Sequence, residues 1–133
     1  MRGFILVGFA SFPSQSPLFD TDSFASDLER LLVIARESVD PEIYQPEFYS
    51  AILRASILRL PIEWSCSARR LVLERSDVPL EETVKSLAHD LEQSMQEPAQ
   101  RRCYELLMRY ALILIANEQT LRSTGPGHAP SLP

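Results

Sequence analysis

The sequence predicts an all-α fold: a compact bundle of about five helices with an N-terminal extended apolar arm and a disordered C-terminal tail. Three observations carry this expectation. Glycine occurs only at positions 3, 8, 125 and 127, so no residue from Phe9 to Thr124 takes a positive φ without steric cost, which disfavours tight hairpins and phosphate-cradling loops. Proline supplies the punctuation instead. Pro41, Pro46, Pro61, Pro79 and Pro98 each precede a stretch of helical periodicity, and the first turn of a helix tolerates a residue that lacks an N–H. Between these prolines, apolar residues recur three and four positions apart, the spacing that places them on one helical face.

The first helix is expected from Ser23 to Ser38, with Thr21, Asp22 or Ser23 as cap and Phe24, Leu28, Leu31, Leu32 and Ala35 on one stripe. Asp40-Pro41 stops it. After a turn from Pro41 to Tyr44, a second helix from Pro46 to Leu60 presents Tyr49, Ile52, Leu53, Ser56, Ile57 and Leu60 on one face. Phe48, Ala55 and Leu58 lie off that face, which predicts burial on more than one side. A third helix from Ile62 to Arg75 turns Trp64, Ala68, Leu71 and Val72 inward. A strand at Leu71-Val72-Leu73 is the alternative, disfavoured because no β-branched or aromatic neighbour extends the run.

The fourth helix starts around Pro79, where Glu81 and Glu82 meet its positive end, and Leu80, Val84, Leu87, Ala88, Leu91 and Met95 keep helical spacing. Glu97-Pro98 ends it. The fifth runs from Pro98 to about Arg122, opening with Glu97, Arg101, Glu105 and Arg109 as an alternating-charge ladder at four-residue steps. The stretch from Tyr110 to Ala116 is then apolar all round and predicts enclosure by neighbouring helices or a partner subunit. At seven residues it falls far short of the ~20 that a membrane span needs. Leu87, Leu91, Leu107, Ile113 and Leu114 are the expected core.

The chain therefore divides into an apolar arm with a Pro/Ser linker (1–19), a helical domain (20–122) and a tail (123–133) poor in anything to bury. The arm holds no acid and runs through Phe4, Ile5, Leu6, Val7, Phe9 and Phe12 before Pro13-Ser-Gln-Ser-Pro17. Read as a secretory signal, it has its candidate cut sites spoiled by Phe9, Phe12, Pro13 and Pro17, and a single arginine is too little for a mitochondrial presequence. An extended segment laid over the helices is the simpler reading. Its functional version is an arm that adds to a partner's sheet or fills a partner's groove, and membrane contact through the same residues stays open.

Eighteen acids against thirteen basic residues give a net charge of -5, which repels a phosphate backbone and argues against nucleic-acid binding. Lys85 is the single lysine beside twelve arginines, a bias that genome base composition produces as readily as selection for bidentate pairing does. Cys66 and Cys103 form no C-x-x-C, so a disulfide framework or zinc knuckle has no support and a reducing, cytoplasmic setting is expected, with export the alternative if residues 1–16 act as a signal. Only His89 and His128 could supply imidazole, and neither sits at metal-ligand spacing.

Glu81, Glu82, Lys85, His89 and Glu92 share a face of the fourth helix and could in principle do acid–base work, but charges opposite an apolar stripe are what a solvated face requires. Arg101, Arg102 and Arg109 could clamp an anion were Glu97 and Glu105 not within reach. Cys103 falls on the core stripe. Cys66 lies near a helix start, where a thiol pKa can drop, yet without a histidine to assist it. Asp40, Glu42 and Glu47 lack the glycine-containing spacing of a calcium loop. No catalytic residue, cofactor or metal site is assigned. The sequence reading is a non-enzymatic helical interaction module with a protein partner or a second copy of itself. The alternative is a ligand-binding or enzymatic domain with an interior pocket lined by Tyr49, Trp64, His89 and Tyr110.

Overall fold

The structure, a computed structural model, describes residues 19–40 and 42–124. Within them lie five helices, α1 (Thr21–Glu37), α2 (Pro46–Leu58), α3 (Ser67–Glu74), α4 (Leu80–Gln93) and α5 (Pro98–Thr124), and no strand. The expected arm residues Phe4, Ile5, Leu6, Val7, Phe9 and Phe12 lie outside the described residues; of the tail expected from 123, Ser123 and Thr124 belong to α5, and 125–133 lie outside the described residues.

At 27 residues, or about 40 Å, α5 is the spine of the bundle. Cys103, Tyr104, Leu106, Leu107, Tyr110, Ala111 and Leu114 form its buried stripe, and α4, α1 and α2 pack along it. Phe24, Leu28, Leu32 and Ala35 supply the facing side of α1, and Leu53 and Ile57 that of α2. α3 rests mainly on α4 and α2. Phe19, two residues before α1, joins the core at one end, with its ring 5.3 Å from Phe24 and 5.4 Å from Trp64.

Several expectations are corrected. Asp20 caps α1, its carboxylate accepting from the Ser23 N–H at 3.2 Å, and the helix therefore starts at Thr21. α3 is the larger change: helix begins at Ser67, not Ile62, because residues 60–65 form a turn whose carbonyls are held by the Arg69 guanidinium. On α2, Phe48, Ala55 and Leu58 are all exposed, so that helix buries one face only. α4 ends at Gln93, leaving Met95 in the following turn and exposed, and Ala88 is exposed as well. Leu87, Leu107 and Leu114 are fully buried as expected, whereas Leu91 and Ile113 only flank the core. The described residues do not enclose the Tyr110–Ala116 stretch, since Leu112 is 47% exposed and Ala116 also faces out.

Leu107→Ala, at the centre of the spine, should cost about 2–5 kcal/mol through lost transfer energy and a residual cavity, whereas Met95→Ala should change stability by less than about 0.5 kcal/mol. Chemical-denaturation midpoints check both, and equal effects would mean that the spine is misplaced.

Candidate functional site

Polar side chains cluster at the helix ends. Asp90 on α4 is 2% exposed, and its carboxylate accepts from the backbone N–H of Ser67 at 2.7 Å, the N–H of Ala68 at 3.1 Å and the Cys66 thiol at 3.3 Å. It thereby takes up the unpaired donors of the first turn of α3 and sets a negative charge at the positive end of that helix. Cys66 occupies the N-cap position itself, its sulfur accepting from the Arg69 N–H at 3.3 Å.

The other end of α3 is closed from α2. Arg54 donates through both terminal nitrogens, at 3.0 Å each, to the carbonyls of Arg75 and Val72. Arg75 in turn pairs with Glu82 at 2.6 Å, tying the end of α3 to α4. Arg69 reaches back from α3 to the carbonyls of Trp64 at 3.1 Å, Leu60 at 3.0 Å and Pro61. A related cap operates between α5 and α1, where buried Asn117 donates to the Ala35 carbonyl at 2.9 Å.

The cysteine at the helix start is thereby insulated from the chemistry that such a position can promote. Burial pushes the Cys66 thiol up to about 11, and the neighbouring Asp90 carboxylate adds to the effect. Burial alone drives Cys103 to about 11, opposed by Arg102. Both are free thiols inside the fold, and neither is poised as a nucleophile.

The residues of the expected interior pocket do not converge. Tyr49 and Tyr110 do meet, the Tyr110 hydroxyl donating to the Tyr49 carbonyl at 3.4 Å while the Tyr49 ring stacks on Tyr44 with centroids 4.7 Å apart. Trp64 belongs to a different aromatic group, edge-on to Tyr104 at 5.9 Å and next to Phe19. His89 is exposed on the outer face of α4 with Glu81, Lys85 and Glu92, as a solvated face requires. Of the arginines on α5, Arg102 pairs with Glu29 of α1 at 2.5 Å rather than within its own helix. The Asp40 carboxylate accepts from the Glu42 N–H at 3.0 Å in a local turn, and no group of three or more metal-binding side chains assembles among the described residues.

An open groove of about 850 Å³ lies between the first turns of α2, the α3–α4 connection and the last turns of α5. Pro46, Ala51, Val78, Pro79 and Leu121 supply apolar walls, and Glu47, Arg54, Asp77, Glu118 and Arg122 bring both signs of charge. Sequence reading missed this groove because its lining comes from three separated segments. Glu118 is one of its carboxylates, and its titration is shifted. Burial raises its pKa, Arg122 opposes the shift, and Glu81 and Glu47 add to it. The chain matches no protein-family model, no curated protein and no solved structure.

A raised carboxyl pKa means that the folded chain binds this proton more tightly than the unfolded chain does, so ionising Glu118 costs stability as pH rises above the ordinary glutamate value. Glu118→Gln should therefore raise the urea midpoint at neutral pH, with the gain disappearing once the pH falls below that ordinary value. A gain of equal size at both pH values, or a loss at neutral pH, would contradict this origin.

Proposed function

We propose that the chain is a non-enzymatic helical interaction module: an adaptor, regulator or assembly subunit whose partner is another protein or a second copy of itself. The supporting observation is the amount of large apolar side chain on the outside of the folded domain. Ile62 is 85% exposed, Leu73 66% and Ile43 65%. Val33, Ile34, Phe48, Leu58, Met95 and Leu112 add further apolar surface. Where such side chains adjoin into a patch, cover by another protein removes them from water. The apolar residues Phe4, Ile5, Leu6, Val7, Phe9 and Phe12 extend the same character into the arm, which we assign to partner binding.

The groove favours a second reading, a small ligand-binding domain, since its volume falls within the range that small-molecule sites occupy. Its mixed charge and breadth suit a peptide segment equally well. No helix among the described residues is long and apolar enough to cross a membrane.

Deletion of residues 1–16 tests the leading reading. Phe19, which packs on Phe24 and Trp64, is spared, so the helical domain should keep its circular-dichroism spectrum and unfolding transition. Association, followed by sedimentation over a range of concentrations and with the protein that co-purifies from native extract, should weaken. A full-length chain that stays monomeric throughout, or a truncation that unfolds the domain, would overturn it.

A further inference from the structure

α3 has eight residues, below the roughly 12–15 at which an isolated helix becomes even marginally stable in water, so its helical state depends on its neighbours. Those neighbours give it little apolar burial. Ala68 and Val72 alone are buried on it, while Arg70, Leu73 and Glu74 face solvent. A small, partly open void of about 20 Å³ adjoins Val72, bounded by Leu53 and Ile57 of α2 and Leu80 and Thr83 of α4. That void shares Ser50, Arg54 and Val78 with the open groove. α3 packs mainly on α4 and α2, whereas α1 and α4 pack chiefly along α5, so lifting α3 leaves the α1–α5 and α4–α5 packing in place.

We propose that α3 is a latch: a separately opening unit, fastened at one end by Asp90 and at the other by Arg54, whose release joins the groove to the apolar seam between α2 and α4. The seam exposed by opening contains Leu53 and Ile57, which border Val72 and are fully buried in the closed form. Arg54 is the coupling element, since the guanidinium that closes the last turn of α3 also lines the groove. The use of the seam by a partner rests on the interaction-module reading. The opening itself does not, and the test addresses the opening alone.

Native-state hydrogen exchange on the full chain separates a latch from a single cooperative fold. The amides of residues 71–75 should exchange at least about tenfold faster than those of residues 107–114 under conditions where the native state dominates. The decisive variant is Leu32→Ala, which weakens the α1–α5 packing that the open form retains. It should speed exchange in residues 107–114 while leaving residues 71–75 within about twofold of the parent. Asp90→Asn weakens an anchor that breaks both when the latch lifts and when the whole domain unfolds, so it should speed exchange in both segments. If Leu32→Ala fails to fold, Leu32→Val supplies the same comparison with a smaller perturbation.

The two cysteines give a second readout, because Cys66 belongs to the latch and Cys103 to the spine, and burial raises both thiols to about 11. A disulfide-exchange reagent should modify Cys66 at least about tenfold sooner than Cys103. Equal exchange rates in the two segments, equal responses to Leu32→Ala, or simultaneous modification of the thiols would each overturn the proposal.

Discussion

A helix leaves its last carbonyls unpaired, and the usual closure is a glycine that turns the chain back in the left-handed conformation. From Phe9 to Thr124 this chain has no glycine, and no described residue has a positive φ. Its helix ends are closed by other means. α2 and α4 finish with tight local bonds, Arg59 N–H to Ser56 O at 3.1 Å and Ser94 N–H to Leu91 O at 3.2 Å. α1 and α3 rely on distant side chains, Asn117 for the Ala35 carbonyl and Arg54 for Val72 and Arg75. At its opposite end, α3 relies on Asp90. Secondary structure in this domain is therefore contingent on tertiary structure, most of all in α3, whose two ends are held by two other helices.

This dependence divides the domain energetically. Around α5, apolar burial dominates, with Tyr104, Leu107, Tyr110 and Leu114 inaccessible to solvent and α1 aligned alongside so that Asn117 meets Ala35. Around α3, a few charge-assisted hydrogen bonds do what burial does elsewhere, in a setting where leaving a buried carboxylate without its donors is expensive. Arg69 belongs to the same arrangement, since its grip on the carbonyls of Leu60 and Trp64 fixes the turn that presents Ile62 to solvent. Two of the most exposed apolar residues, Ile62 and Leu73, thus lie in the part of the fold held by these bonds.

Periodicity made the five helices and the central leucines legible in the sequence, because spacing alone places Leu28, Leu32, Leu87, Leu107 and Leu114 on inward stripes. It failed where a local pattern is overridden from a distance. Ile62 to Cys66 reads as the first turn of a helix until Arg69 claims the carbonyls of Leu60 and Trp64 and Asp90 fixes the start at Ser67. Asp90 itself stands among polar residues of α4 and carries no mark in the sequence that separates it from exposed His89 or Glu92. Phe48 and Leu58 read as interior residues because they are apolar, yet burial of α2 stops at one face. The groove was illegible for a related reason: Pro46, Val78 and Leu121 are far apart along the chain.

The most direct test of this account is whether α3 exists as a helix without its two tertiary caps. Carbon-13 α secondary chemical shifts in the full chain carrying both Arg54→Ala and Asp90→Ala measure this residue by residue. The account predicts that residues 67–74 lose their helical shifts while residues 98–124 keep theirs. Helical shifts retained across residues 67–74 in the doubly substituted chain would contradict it.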